Sequence, residues 1–241
     1  MSYAGKVAVI TGASRGLGKG MAEHFAAEGM KLGLCARTMD DHIDAQRISR
    51  PVDVTDGEAV EAFAKHVAEH FGHIDLWINN AGVLEPIAPM RSVESKDFDD
   101  HMRINVLGVF HGCKSYVHHL HASGKGGVLV NISSGAAMSA YAGWAPYCAS
   151  KSAVDRLSEV IALEEESIGL RVHAVAPGVI DTDMQELIRG TAEADFPMVD
   201  KFLELKANDD FSTTRFVSEK MLELAFGQHD EPVVVRFPPG K

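Results

Sequence analysis

The sequence predicts an α/β domain: a mainly parallel seven-stranded sheet with helices on both faces, three layers in all. Apolar runs alternate with amphipathic segments along the whole chain, the pattern of strands joined by crossover helices. Nearly every run is rich in valine, isoleucine or leucine, as expected when both faces of a sheet are covered. Val7–Thr11 is the first strand and 16–28 the first helix. Lys31–Ala36 is the second strand and 52–54 the third. Gly57–Phe71 is helical, and Leu76–Asn79 is the fourth strand. A long helix is expected over 95–121, a strand at Gly127–Ile132, a helix over 146–167 and a strand at 171–176. Segment 182–211 breaks the rhythm and reads as a helical insertion of the kind that forms lids. A helix at 218–226 and a strand at 232–237 complete the pattern. No linker interrupts it, so residues 1–241 are expected to form one domain.

The chain has 241 residues, 46% hydrophobic and 24% charged, a balance that can bury a full core. Its formal net charge is −11, which argues against nucleic acid or an anionic membrane as the main partner. Cys35, Cys113 and Cys148 make no disulfide framework, so a reducing cytoplasm is expected. The start runs straight into a strand with no secretion signal, and no apolar run is long enough to span a bilayer.

Thr11-Gly12-Ala13-Ser14-Arg15-Gly16-Leu17-Gly18 lies between the first strand and the first helix. Gly12 permits a tight turn, Gly16 lets backbone approach a diphosphate, and Gly18 lets the helix pack close to the sheet; the helix N-terminus then faces phosphates. In this position the turn predicts a Rossmann-like dinucleotide site, the alternative being a tight turn with no ligand. The second strand ends at Arg37, where a site for the unphosphorylated cofactor usually has an acid. With Ser14 and Arg15, Arg37 can hold a 2′-phosphate, so the expected cofactor is NADP(H); otherwise it is a solvated loop cation. Asp53, beside Val54, stands either at the adenine amino group or in a turn before Thr55.

Tyr147 and Lys151 are four residues apart and share a helix face. An ammonium about 4 Å from a phenol is worth roughly 4 kcal/mol at an effective dielectric near 20. That would bring a tyrosine from about 10 to near 7, which makes an acid/base group for a substrate oxygen.

The glycine turn, Asn79-Asn80-Ala81-Gly82, Ser134, Tyr147-x-x-x-Lys151 and Pro177-Gly178-x-x-x-Thr182 occur in that order. Together they resemble the short-chain dehydrogenase/reductase family over essentially the whole chain. Gly82-Val83-Leu84-Glu85-Pro86, Gly143-Trp144 and the run from Ala176 to Gln185 resemble its branch of sepiapterin and benzil reductases. The resemblance implies that Tyr147 protonates a ketone oxygen as hydride reaches carbon, that Lys151 lowers its pKa and holds the nicotinamide ribose, and that Ser134 binds the carbonyl oxygen. Ser133, off the family spacing by one, is set aside as a strand-end residue. Asn105 would order a water beside Lys151, or is simply a satisfied buried amide. Asn80, Ala81 and Gly82 would brace the cofactor loop. Pro177, Gly178, Ile180 and Thr182 would bind the carboxamide, although Thr182 can equally cap the next helix. The implied activity is NADPH-dependent reduction of a small ketone or vicinal diketone, with no metal. The alternatives are an alcohol dehydrogenase or 3-oxoacyl reductase of the same family, or a non-catalytic NADP(H)-binding regulator. A homodimer or homotetramer through helices 95–121 and 146–167 is also implied. The passage from Arg37 to Asp53 is shorter than the family's, so its helix is expected to shrink to a loop around 40–49. No motif marks the acid with which sepiapterin reductases hold their pterin; Asp230 and Glu231 are the acids nearby.

Leu84, Met138, Tyr141, Trp144, Met184 and Phe196 follow the chemical residues in loops, and several are expected to line the substrate pocket, Trp144 and Met184 with Ser134 and Tyr147 among them. His118 and His121 can share a helix face, but no acid or cysteine at ligand spacing joins them, and a solvated helix end is the simpler reading. Cys148 should point off the face of Tyr147.

Overall fold

The computed structural model describes residues 2–227 and 231–241; Asp230 lies outside them. One eight-stranded sheet runs β3-β4-β2-β1-β5-β6-β7-β8. Its strands are β1 (Val7–Thr11), β2 (Lys31–Ala36), β3 (His42–Ile43), β4 (Arg47–Pro51), β5 (Leu76–Asn79), β6 (Gly127–Ile132), β7 (Leu170–Ala176) and β8 (Val234–Arg236). All pairings are parallel except β3 with β4. The helices are α1 (Gly16–Ala27), α2 (Gly57–Phe71), α3 (Ser95–Met102), α4 (Gly108–Ser123), α5 (Ala145–Glu164), α6 (Asp183–Arg189), α7 (Val199–Ala207) and α8 (Thr214–Phe226).

Alternate strand residues feed two cores, as the pleat requires. Ile10, Leu34, Ile78 and Val130 pack under α1 and α8 with Met21, Phe25, Val217 and Met221. Val9, Cys35, Trp77 and Leu129 pack under α2, α4 and α5 with Phe63, Val67, Tyr116 and Val154. Trp77 donates to Asn79 Oδ1 (2.8 Å), Asn79 Nδ2 to Asn131 Oδ1 (2.8 Å), and Asn131 Nδ2 to Ser158 Oγ (2.9 Å). These buried amides are tolerated because each finds a partner.

Four expectations need correction. The sheet has eight strands, not seven, and the third parallel strand is Arg47–Pro51 rather than 52–54. Its register with β2, Leu32↔Arg47 to Ala36↔Pro51, outweighs a composition that is half polar. The stretch around 40–49 is a hairpin rather than a plain loop: Asp44 Oδ1 accepts from the N–H groups of Gln46 (2.8 Å) and Arg47 (2.7 Å), turning β3 back on β4,. The helix expected over 95–121 is broken into α3 and α4 by a π-helical turn at Arg103–Leu107, a feature that periodicity does not register and that often marks a functional site. Segment 182–211 carries α6 and α7.

The order of strands reverses at β1: β2, β4 and β3 lie to one side, β5 to β8 to the other. A cleft is expected beyond the carboxyl ends of the strands at such a switch point.

Candidate active site

A cleft of ≈860 Å³ opens there, within the ~300–1,000 Å³ typical of ligand sites. Every site residue named from the sequence lines it except Asn105, Met138 and Phe196.

At one end is the glycine turn. Gly12 has φ +66°, and a Cβ there would lie 2.7 Å from Ala81 Cα; at Gly18 it would collide with the Gly12 carbonyl. Asn80 binds this turn to β5: its Nδ2 donates to the carbonyls of Thr11 (2.9 Å) and Gly12 (3.1 Å), while the N–H groups of Asn80 (3.0 Å) and Ala81 (3.1 Å) donate to Thr11 Oγ1. α1 begins without a side-chain cap, so its first N–H groups face the cleft as unmatched donors. That end suits an anion.

Arg37 stands exposed on the rim at the end of β2. Arg15 does not point to it. It bridges to Asp183 of α6 at 3.1 Å, both side chains largely exposed, and so spans the cleft from the glycine turn to the 182–211 segment. Asp53 Oδ1 accepts from the N–H and hydroxyl of Thr55, both at 2.9 Å. This is the turn reading of that residue, although it also lines the cleft.

The polar groups of the other end come from β6 and α5. Tyr147 is buried. Burial raises its pKa, and the Ser134 hydroxyl beside it pulls in the opposite direction. Ser134 Oγ accepts from Ala136 N–H at 3.2 Å, which leaves its proton to face the Tyr147 phenol. Ser133 also borders the cleft, and its hydroxyl is committed to Asp155. Lys151, also buried, donates to the Ile132 carbonyl at 2.8 Å. Burial lowers its pKa to about 8, against the pull of Asp155. Its Nζ sits 5.6 Å from the Tyr147 ring centroid. The expectation that Lys151 brings the phenol down to near 7 therefore does not hold in this chain without ligand. The ammonium gives its hydrogen bond to a backbone carbonyl, and desolvation of the phenolate prevails,.

Asn105 is fully buried in the π turn, one layer behind the cleft. Its carboxamide pairs with both backbone groups of Val83, each at 2.8 Å. Thr182 occupies the N-cap of α6, but its hydroxyl makes no capping bond.

The apolar wall holds Leu84, Tyr141, Trp144 and Met184, as anticipated. Met138 is 69% exposed elsewhere. Phe196 lies beneath the wall, stacked on Trp144 at 4.7 Å and 6°. Phe202, Ile188 and Gln185 also line the cleft and were not foreseen. Ile188 follows Met184 by one helical turn, a usable signal; Phe202 arrives only through tertiary packing of α7. The histidine patch divides: His118 meets Glu61 (3.4 Å), His121 meets Glu165 (2.8 Å), and His119 accepts from Ile74 N–H (3.0 Å). Cys148 Sγ lies 3.7 Å from the Ser139 carbonyl, off the tyrosine's face. Among the described residues no helix is long and apolar enough to cross a membrane.

Comparison with known proteins agrees with this geometry. The family model for short chain dehydrogenases matches residues 6–193. The chain is 35% identical over 192 residues to an L-fucose dehydrogenase of Oryctolagus cuniculus, covering 77% of this chain and 66% of that protein. It is 30% identical over 230 residues to a benzil reductase ((S)-benzoin forming) of Bacillus cereus, covering 90% and 92%. The crystal structure of a short chain dehydrogenase from Burkholderia cenocepacia J2315 in complex with NADP superposes with a TM-score of 0.79 at 25% identity, covering 98% of this chain and 97% of that one. With a mainly parallel sheet, a glycine turn at its switch point and a serine, tyrosine and lysine at the cleft floor, the chain belongs to the short-chain dehydrogenase family, enzymes that act on carbonyl and hydroxyl substrates with a nicotinamide cofactor.

Proposed function

We propose that this enzyme uses NADPH to reduce a small ketone or vicinal diketone to the hydroxy compound. The observation that carries the reading is the Tyr147–Ser134 pair at the floor of an aromatic cleft. Its phenol is held protonated by burial, the form from which a general acid gives up its proton.

The bound cofactor supplies hydride. Ser134 donates to the substrate oxygen and orients it. Tyr147 gives that oxygen its proton as negative charge develops there, and the nearby Lys151 ammonium favours the phenolate left behind. Leu84, Tyr141, Trp144 and Met184 exclude water and favour aromatic or alkyl flanks over a sugar. The uncapped start of α1 receives the diphosphate, and Arg37 a 2′-phosphate. Residues 182–211 act as the lid. Three unpaired cysteines, two of them buried, fit a cytoplasmic setting. Phe98, Phe110, Val160 and Leu163 are exposed on α3, α4 and α5 and support a homodimer or homotetramer through those helices.

The test is NADPH consumption with benzil, a simpler vicinal diketone and sepiapterin, each repeated with NADH. NADPH-dependent turnover of the diketones supports the reading. Tight NADPH binding with no turnover on any of them removes the substrate class.

A further inference from the structure

His101 is a buried titratable group that this mechanism does not use. It is 1% exposed and sits on α3 four residues before Asn105, on the same helix face. Its Nδ1 lies 2.7 Å from the Glu85 carbonyl oxygen. A carbonyl only accepts, so Nδ1 carries the proton and Nε2 is left as an acceptor. Asn105 Nδ2 stands 2.9 Å from that nitrogen. One proton of Nδ2 goes to the Val83 carbonyl, at 2.8 Å; the second is the one His101 receives. Ser150 Oγ gives its own proton to the Tyr147 carbonyl at 2.8 Å and, 3.3 Å from Asn105 Nδ2, shares that second amide proton with His101 as a further acceptor.

This ring of bonds joins four segments: α3 through His101, the π turn through Asn105, α5 through Ser150, and the loop at residues 83–85. The loop continues into the cleft wall. A Cβ at Gly82 would sit 3.3 Å from Asn105 Oδ1 and 3.8 Å from Lys151 Nζ, so amide and ammonium both flank that glycine. We propose that His101, as the neutral Nδ1–H tautomer, is a positioning residue that fixes the Asn105 carboxamide and through it the Gly82–Val83 wall of the cofactor cleft. The inference rests on reading that cleft as a dinucleotide site. The titratable groups facing His101 come from α5: the Tyr147 ring, edge-on at 6.2 Å, and Lys151, whose charge acts with burial to disfavour a second proton on the imidazole. A protonated Nε2 would turn a donor against the Asn105 amide protons.

Two substitutions divide the ring of bonds. His101→Gln keeps an acceptor for Asn105 and loses the donor to Glu85. His101→Asn keeps the donor to Glu85 and loses the acceptor. Fluorescence titration with NADPH and NADH should show His101→Asn weakened by about tenfold, the effect of leaving one buried donor unmatched, with kcat falling alongside. His101→Gln should stay within about threefold on the same scale. Equal losses in the two variants, or no loss in either, overturn the proposal. If His101→Asn does not fold, nitrogen-15 histidine NMR of the unaltered protein decides. A neutral Nδ1–H imidazole that persists well below the ordinary histidine value of about 6.5 supports the proposal. An Nε2–H tautomer, or ordinary titration, overturns it. An unaltered chain that binds neither dinucleotide removes the cofactor reading and this inference with it. Binding by that chain with both variants unimpaired removes this inference alone.

Discussion

Replacing Lys151 with methionine should abolish turnover and yet stabilise the protein at neutral pH. The ammonium is 5% exposed, and its hydrogen bond is to the Ile132 carbonyl. Burial takes its pKa from 10.5 to about 8. A fall of that size corresponds to about 3 kcal/mol that the native state loses by keeping the charge. The sign follows from proton counts. Below pH 8 both folded and unfolded chains carry the proton, and the full cost is present. From about pH 8 to 10.5 the unfolded chain still holds the proton while the native chain releases it, so stability rises with pH. Leaving the Ile132 carbonyl unmatched costs about 1–3 kcal/mol at every pH and partly masks the gain at pH 7. The decisive quantity is therefore the change in the gap between the two proteins, which other titrating groups share and cancel. Urea unfolding of both proteins without cofactor, at pH 7 and pH 10, measures it. The methionine protein should lose most of about 3 kcal/mol relative to the unaltered one between those pH values, or about 6–12 °C in thermal midpoint for a chain of this size. A gap that does not move with pH would refute the claim that the lysine is held charged at a cost.

Three other outcomes follow from the same geometry. Tyr147→Phe should lower kcat by about 10²–10⁴-fold, the usual worth of a positioned acid, with NADPH affinity within about twofold by fluorescence; turnover that survives would remove Tyr147 as the proton donor. Arg37→Asp should weaken NADPH by about tenfold or more through lost charge-assisted bonds and improve NADH, as ratios of kcat/KM report; unchanged preference would make Arg37 a solvated loop cation. His119 accepts from Ile74 N–H, and burial followed by the neighbouring His73 lowers its pKa. Its contribution is thus complete above the unfolded value of about 6.5 and is lost as pH falls through the lower native value. His119→Gln should flatten that acid limb in denaturation curves taken from pH 7 to 5, and an unaltered limb would contradict the assignment.

What the sequence disclosed was whatever depends on local order. Both faces of β1, β2, β5, β6 and β7 are covered, so each reads as a continuous apolar run. The glycine turn announces itself because Gly12 needs positive φ and Gly18 has no room for a side chain. Spacing alone put Tyr147 and Lys151 on one helix face. Other features depend on partners distant in the chain. β4 has an unremarkable composition, Arg47-Ile48-Ser49-Arg50-Pro51, and is a strand because β2 lies beside it. The π turn at Arg103–Leu107 sets Asn105 against Val83 while α4 packs on α2, both of them partners distant in the chain. Phe202 and Phe196 reach Trp144 only when α7 folds over the cleft. The electrostatic expectation failed for a related reason: the i, i+4 spacing carries no measure of how deeply Tyr147 is buried, and burial is what raises its pKa.

Arg15 shows how an apparent disagreement between sequence and structure can be weighed by magnitude. From the sequence it belongs to a 2′-phosphate site, whereas in the structure it pairs with Asp183 across the cleft. Both side chains are mostly exposed, 74% and 68%, so the pair is worth only about 0–1 kcal/mol. A charge-assisted bond to phosphate is worth about 1.5–3 kcal/mol. The guanidinium is therefore free to exchange a weak partner for a stronger one when a phosphorylated dinucleotide arrives. The side chain that leaves Asp183 belongs to the glycine turn, and the one left behind belongs to α6. On the proposed NADPH reading, cofactor binding would release the tie between the glycine turn and α6, and the weakness of the ion pair is what would permit it,.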